Sequence, residues 1–411
     1  MPAEALKCKE CSTTYPLEAR YVCERCFGPL EVAYRAPAST ADELKRRIQA
    51  GPSTLWRYAD FLPLDRVPRS SLPTGMTPLV RADRLAERLG IGELWIKNET
   101  SNPTHSFKDR VVSIALARAI ELGFDTVACA STGNLAGAVA AHSAYAGLPV
   151  YVFVPGDLEP EKILSAGAYG ARIVGVRGNY DDVNRLCTEV SGERENWAFV
   201  NVNVRPYYAE GSKTLAFETA EQLGWELPDR VVAPIASGSL YTKILQGFEQ
   251  GRAAGLIEPG EAPVMHGSQG EGCSPVATAF AAGADQVIPV RPTGIAKSLA
   301  IGNPADGVYA LGVARRTGGS IEAASDPEIV EGIQLLARTT GIFTETAGGV
   351  TTAVLRKLAE RGEIGAGETV VVYITGDGLK TVDAVEPAVE AIAIPADADA
   401  VDGALAQPLR A

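Results

Sequence analysis

The chain has 411 residues, of which 46% are hydrophobic and 21% are charged, and its formal net charge at pH 7 is −12. This composition is typical of a globular protein with two or three domains, and it excludes a largely disordered chain. The acidic balance, without a cluster of Lys and Arg, argues against nucleic acid as a partner. No stretch is apolar enough to cross a membrane and the N-terminus lacks a signal-like apolar core, so we expect a cytoplasmic protein with no membrane partner.

Four of the seven cysteines lie near the N-terminus as two Cys-x-x-Cys pairs, Cys8 with Cys11 and Cys23 with Cys26. Four thiolates at this spacing satisfy a tetrahedral zinc ion without leaving an open position for water, which is typical of a structural site. The alternative is four reduced cysteines without a metal. Because so short a segment has a small apolar core, we predict a zinc-ribbon-like module over residues 1–35 that depends on zinc to fold.

After a packing segment that contains a charged helical pattern, apolar β-rich runs alternate with helical patterns. Examples of the runs are L-W-I-K, T-V-A-C-A, V-Y-V-F-V and V-V-V-Y-I. We also expect helices from Asp109 and after Asn134, Glu159 and Asp181. This rhythm predicts repeated βαβ units, parallel sheets and an α/β fold.

Three predicted strands end in small, polar residues, at Ser131 to Ala138, Ser237 to Lys243 and Thr375 to Lys380. Ligands of open α/β sheets bind at the carboxyl ends of strands, and the N-terminus of a following helix favours a phosphate or carboxylate. These turns contain neither G-x-x-x-x-G-K nor G-x-G-x-x-G. The first two predict anion-binding turns, although the first alone also suits a capped turn without a ligand. The third has two glycines that permit close backbone approach.

One lysine stands at the mouth of a predicted helix, in the stretch N-P-T-H-S-F-K-D-R over residues 102–110. Taken alone, Lys108 would be an ordinary surface lysine. Together with three polar strand ends, it suits pyridoxal phosphate, a cofactor with one phosphate, a ring nitrogen and an aldehyde. A lysine amine condenses with that aldehyde as a Schiff base, and the ring then withdraws electrons from the α-carbon of the substrate.

The stretches Asn102–Arg110, Ser131–Asn134 and Thr375–Lys380 resemble the signatures of the threonine synthases, which are fold-type-II pyridoxal phosphate enzymes. The paired cysteines, I-A-S-G-S-L-Y-T-K and I-F-T-E-T-A-G-G resemble the branch that carries a zinc ribbon. The resemblance implies two open, mostly parallel twisted sheets flanked by helices and preceded by the ribbon. It also implies a large cofactor domain from 76–108 and 215–390 and a smaller α/β domain over 109–214. The residue pattern outside the resemblance predicts a linker or packing segment over 36–75 and a tail over 391–411.

The resemblance further implies a role for each matching position. Lys108 would carry the cofactor and later move protons, and Asn134 would bond the ring hydroxyl. Thr375 would face the ring nitrogen. The remaining cofactor-binding positions would be Phe107 and the phosphate-binding segment Ala236, Ser237, Gly238, Ser239 and Leu240. The substrate would be bound through its carboxylate and its phosphate by Ser131, Thr132, Asn134, Lys97, Arg205 and Lys213.

The activity implied is a carbon–oxygen lyase reaction of threonine biosynthesis, in which O-phospho-L-homoserine and water give L-threonine and phosphate. The family members are often homodimers. The sequence departs from the family pattern in R-P-Y-Y-A-E-G-S-K-T, because Tyr208 stands at the arginine position and the arginine is Arg205. Two alternatives keep the cofactor, namely a β-replacement reaction on O-phosphoserine and the dehydration of serine or threonine. A third is a ribbon-bearing binding protein without catalysis, against which the intact Lys108 argues.

Overall fold

The computed structural model describes residues 1–156, 161–178, 180–389, 391–398 and 401. The chain begins with a small antiparallel sheet, the N-terminal sheet, whose strands lie in the order β2-β1-β3. Its strands are β1 (Ala3–Cys8), β2 (Thr14–Tyr15) and β3 (Leu30–Tyr34). Buried side chains of this sheet, including Leu6 and Val32, share one hydrophobic core with Val111 and Ala115 of a helix in the main body. The N-terminal sheet is therefore packed onto the rest of the protein.

Ten further strands are formed by the described residues of the main body. They are β4 (Leu79–Arg81), β5 (Glu93–Asn98), β6 (Thr126–Ala130), β7 (Val150–Pro155), β8 (Arg172–Val176), β9 (Trp197–Phe199), β10 (Arg230–Pro234), β11 (Val264–Gly270), β12 (Ile321–Ala324) and β13 (Thr369–Ile374). One sheet has the order β12-β11-β10-β13-β5-β4, with only β4 antiparallel to its neighbour, and the other is fully parallel in the order β8-β7-β6-β9. The central strand β13 is buried at every position after its first, as a parallel sheet covered on both faces requires.

Helices connect and cover these strands. They are α1 (Ala41–Ala50), α2 (Asp83–Leu89), α3 (Lys108–Glu121), α4 (Asn134–Ala146), α5 (Glu161–Ala168), α6 (Tyr180–Glu193), α7 (Arg205–Glu210), α8 (Thr214–Gln222), α9 (Ser239–Ala253), α10 (Pro275–Ala281), α11 (Gly307–Arg316), α12 (Asp326–Thr340) and α13 (Thr346–Glu360). Local sequence explains where two of these helices begin. A capping box, in which Thr40 and Glu43 each bond the other's backbone amide, begins α1, and α12 begins with the same device.

The predicted α/β fold with mostly parallel sheets is confirmed. The quoted apolar runs are β5, β6, β7 and β13, and helices begin at Lys108 and Asn134. The patterns do not predict β4, β9 and β12, because strands of three or four residues are too short to show a clear periodicity. The helix predicted after Asp181 begins at Tyr180, and Glu159, after which another was predicted, lies outside the described residues.

The domain boundaries inferred from the resemblance stay a prediction. Of the predicted tail, residues 391–398 contain neither helix nor strand, whereas 399, 400 and 402–411 lie outside the described residues. Among the helices of the described residues, none combines the length and the apolar character that crossing a bilayer requires.

Candidate active site

The turn that carries Lys108 is tied to the end of β13. The Phe107 amide donates a hydrogen bond to the Thr375 carbonyl at 3.0 Å, and Ser106 forms an isolated β-bridge with Gly376. Lys108 follows as the first residue of α3. The structure therefore brings Lys108 and the buried Thr375 to the same sheet end.

Asp109 anchors the first turn of α3. Its carboxylate accepts hydrogen bonds from the Thr104 amide at 2.8 Å, the Thr104 hydroxyl at 2.9 Å and His142 Nε2 at 2.9 Å. A carboxylate in the first turn is also favoured by the helix dipole. These bonds restrain the backbone that carries Lys108.

Lys97 lies in a buried charge network instead of the candidate site. Its ammonium is fully buried and donates hydrogen bonds to Glu218 at 2.5 Å, the Thr77 carbonyl at 2.7 Å and Gln222 at 2.7 Å. The Arg110 guanidinium, also fully buried, pairs with Glu218 on the other side. That Lys97 binds a substrate phosphate therefore stays a prediction, and the internal acceptors that its ammonium already contacts count against it.

Asn134, the first residue of α4, lies between two charged side chains. Its amide nitrogen donates to the Glu345 carboxylate at 2.9 and 3.1 Å, and its amide oxygen accepts a hydrogen bond from Lys380 Nζ at 2.8 Å. Burial raises the pKa of Glu345 and lowers the pKa of Lys380. Neither residue had a role predicted from the sequence, although both fall inside the stretches that carry the resemblance.

Two helices, α4 and α9, begin after turns that suit anions. Ser131 and Thr132 precede α4, a helix of 13 residues, and Ser131 is 9% exposed. The segment Ala236 to Leu240 leads from β10 into α9, a helix of 15 residues. Because the first N–H groups of a helix have no partner within it and the dipole is positive there, both turns fit an anionic group.

Gly238 gives the second turn its shape. Its φ is 95°, a left-handed conformation that glycine adopts without strain. A Cβ at this position would lie 2.6 Å from the Asp306 carbonyl oxygen, and the Asp306 amide donates to the Ser237 carbonyl at 2.8 Å. Asp306 therefore packs directly against Gly238, and a residue with a side chain would not fit at this position of the turn.

Helix α7 carries the departure from the family pattern. Arg205 is partly exposed and donates a hydrogen bond to the Asp306 carboxylate at 2.6 Å, next to the Gly238 turn. Tyr208, one turn later, has its hydroxyl 3.0 Å from Lys108 Nζ. The structure therefore brings both residues towards the candidate site. Tyr208 had no role predicted from the sequence, and the signal that could have identified it is its place at the arginine position of the family pattern.

Lys213 is placed elsewhere. It is fully buried, its Nζ lies 2.6 Å from the Glu210 carboxylate and 3.6 Å from the centre of the Tyr34 ring, and burial lowers its pKa to about 8. That Lys213 binds a substrate phosphate stays a prediction, and the enclosure of its ammonium in a buried ion pair with Glu210 counts against it.

The four N-terminal cysteines come together as a cluster. All four sulfur atoms lie within 4.8 Å of one another, and separations of 3.4 to 3.6 Å join Cys8 to Cys26, Cys26 to Cys11 and Cys11 to Cys23. A tetrahedral zinc site with bonds of about 2.3 Å needs sulfur atoms about 3.8 Å apart. Donor type and spacing therefore both fit a zinc ion.

Comparison with known proteins supports the assignment of the pyridoxal phosphate cofactor. A family model described as pyridoxal-phosphate dependent enzyme matches residues 70–376. A threonine synthase from Methanosarcina acetivorans is 40% identical over 91% of this chain and 92% of its own length, and one from Methanocaldococcus jannaschii is 40% identical over 92% and 93%.

Solved structures of other enzymes share the fold. A processed threonine deaminase from Solanum lycopersicum covers 86% of this chain and 90% of its own with a TM-score of 0.63 at 20% identity. Maize serine racemase covers 84% and 95% with a TM-score of 0.59 at 19% identity. At these identities the likeness concerns the fold, whereas the sequence relatives concern the family. The chain therefore belongs to the pyridoxal-phosphate dependent enzymes and, among them, to the threonine synthase family.

Proposed function

We propose that this protein converts O-phospho-L-homoserine and water to L-threonine and phosphate, with pyridoxal phosphate as its cofactor. The observation that carries the proposal is the 40% identity to threonine synthases over nine tenths of the chain. The meeting of Lys108, Asn134 and Thr375 at one end of the sheets supports it, because each comes from a different motif of the resemblance.

The residues around Lys108 fit the cofactor. Lys108 would attach the aldehyde, the Thr375 hydroxyl would face the ring nitrogen, and Asn134 would bond the ring hydroxyl. The turn at Gly238 would hold the phosphate, since the start of α9 offers backbone N–H groups without helical partners. When bound, the cofactor supplies an electron sink for negative charge that develops at the α-carbon of the substrate.

The remaining polar residues would bind the substrate. Ser131 and Thr132 would hold its carboxylate at the start of α4. Arg205 would hold its phosphate, because Lys97 and Lys213 are enclosed in buried ion pairs whereas Arg205 keeps part of its surface exposed. The free Lys108 amine would take up and return protons at the substrate carbons.

The zinc site and the assembly are part of the same proposal. The cysteine cluster supports one structural zinc ion bound by Cys8, Cys11, Cys23 and Cys26. The family resemblance supports a homodimer, which light scattering would test. We further propose a cytoplasmic location, which stays an expectation from the sequence.

The decisive experiment is an incubation of purified protein with pyridoxal phosphate and O-phospho-L-homoserine, with phosphate and threonine both quantified by chromatography. We expect equal amounts of the two products from the wild type and neither from Lys108→Ala. Borohydride reduction followed by peptide mass spectrometry should find the cofactor fixed to Lys108.

Other outcomes would redirect the proposal. Phosphate without threonine, or neither product, would favour the alternatives, and the same assay with O-phosphoserine, serine and threonine would distinguish them. Cofactor fixed to another lysine would contradict the assignment of Lys108.

A further inference from the structure

Tyr208 is the hydrogen-bond partner of the lysine on which the proposed function depends. Lys108 Nζ lies 3.0 Å from the Tyr208 hydroxyl oxygen and donates a hydrogen bond to it. The same nitrogen lies 5.7 Å from the centre of the Tyr208 ring and 4.5 Å from the centre of the Phe107 ring. The amine therefore lies beyond the Tyr208 hydroxyl oxygen and beside the Phe107 ring.

Contact between two backbones sets the position of Tyr208. Gly211, directly after α7, would place a Cβ 2.4 Å from the Arg110 carbonyl oxygen, so the end of α7 touches the first turn of α3. On the same short helix, the buried Tyr207 donates its hydroxyl to the Glu18 carbonyl at 2.8 Å. Tyr208 is thus held opposite the start of α3 by contacts on both sides of it in sequence.

The chemistry of the pair follows from what each group can donate. A lysine has N–H donors in both its charged and its neutral form, and a phenol oxygen can accept from either. A neutral Lys108 that donates to Tyr208 keeps its lone pair free for an aldehyde or a substrate proton. We propose that Tyr208 is a positioning residue whose oxygen orients the Lys108 amine during cofactor attachment and proton transfer. Tyr208 gains and loses no proton in this role, which rests on the proposed function of Lys108.

Arg205 and Tyr208 then serve different parts of the site. They are three residues apart on α7 and so lie on neighbouring positions of one face. Arg205 reaches Asp306 beside the Gly238 turn, whereas Tyr208 reaches Lys108. A basic residue at position 208 would instead place a second cation beside the amine and disfavour the protonated form of Lys108.

The test compares the wild type with Tyr208→Phe, which removes the oxygen and keeps the ring. Tyr145→Phe is the matched control. Tyr145 is 53% exposed, and its hydroxyl accepts a hydrogen bond from the exposed Ser70 hydroxyl at 3.2 Å. Without substrate, the rate at which cofactor-free protein attaches pyridoxal phosphate to Lys108 is followed by borohydride reduction and peptide mass spectrometry. With O-phospho-L-homoserine, kcat and KM are measured separately.

We expect Tyr208→Phe to lower both the attachment rate and kcat by roughly tenfold or more, with KM changed by less than about threefold. Tyr145→Phe should behave as the wild type. Tyr208→His, which keeps an acceptor on a ring, should recover part of both rates. If Tyr208→Phe does not fold, Tyr208→His compared with Tyr208→Leu provides the same test.

Two results would overturn the inference. One is an unchanged attachment rate and kcat in Tyr208→Phe. The other is a rise in KM alone, which would make Tyr208 a substrate contact. Failure of the wild type itself to attach the cofactor at Lys108 would instead refute the proposed function, so the two failures are distinguishable.

Discussion

Lys97 and Arg205 illustrate how surroundings decide what a cation can do. Lys97 has three oxygen acceptors within 2.7 Å and no exposed surface, whereas Arg205 pairs with Asp306 and keeps 26% of its side chain exposed. A buried ion pair resists the loss of either partner, because the other charge is then left without compensation. A partly exposed cation can still reach an incoming anion, even when it already pairs with one carboxylate.

Lys97→Met should therefore lower stability, and Arg205→Ala should lower substrate affinity. We expect Lys97→Met to reduce the free energy of unfolding by about 3–5 kcal/mol. Arg205→Ala should cost no more than about 1 kcal/mol of stability while raising KM for O-phospho-L-homoserine by roughly tenfold or more. Urea denaturation and steady-state kinetics on both variants provide the measurements. A stable Lys97→Met with a high KM would restore Lys97 to the substrate site.

At the scale of elements, the start of α9 depends on one glycine. In Gly238→Ala, the positive φ costs about 1–2 kcal/mol and the new methyl group meets the Asp306 carbonyl, so the turn must shift. We expect cofactor affinity to fall by roughly tenfold or more in a fluorescence titration. Gly312→Ala in the exposed face of α11 is the control, because a Cβ there meets no atom within 4 Å. Equal Kd values for the two variants would contradict this role of the turn.

The contact of β3 with α7 gives a pH dependence. Burial raises the pKa of Glu210, but the Lys213 and Lys243 ammonium groups outweigh burial and hold the pKa at about 2, below the ordinary 4.5. The same carboxylate accepts a hydrogen bond from Tyr34 of β3 at 2.6 Å. Between these pKa values the unfolded chain binds a proton that the folded one does not, so this stabilisation is complete above pH 4.5 and is lost as pH falls towards 2.

Glu210→Gln should remove this contribution. Between pH 6 and pH 3 the variant should lose about 2 kcal/mol less stability than the wild type, even though it is less stable at neutral pH. Denaturant unfolding at the two pH values measures the difference. An identical loss in both proteins would show that other carboxylates account for the acid sensitivity.

At the scale of the whole molecule, the N-terminal sheet contacts the main body close to the candidate site. Lys9, which stands between two of the cysteines, lies 3.5 Å from the same Asp306 carboxylate that pairs with Arg205. Lys9 Nζ also lies 3.3 Å from the centre of the Tyr309 ring of α11. The fold of the cysteine cluster is thus joined to the α9 turn through Asp306.

Metal removal tests this connection. We expect about one zinc per chain by elemental analysis, and we expect chelation to expose Cys8, Cys11, Cys23 and Cys26 to a thiol reagent and to raise KM. Cys129 and Cys187 are internal controls, since both are buried and burial raises the pKa of both thiols. Chelated protein with unchanged thiol reactivity would contradict a zinc site.

The sequence by itself determined the features that depend on neighbouring residues. The apolar runs of β6, β7 and β13, the helix start at Lys108 and the cysteine spacing are all local patterns, because periodicity and capping act over a few residues. The α/β class and the cofactor motif followed from them.

Only the tertiary structure decided which charges are buried and which side chains meet. Lys97 meets Glu218 across 121 residues of sequence, and Lys108 meets Tyr208 across 100. Such contacts depend on how β5, α3, α7 and α8 pack. Burial also encloses a lysine in an internal ion pair, where it is less able to bind a ligand. The resemblance therefore suggested Lys97 and Lys213 for the substrate site, whereas the packing of the folded chain encloses both in buried ion pairs.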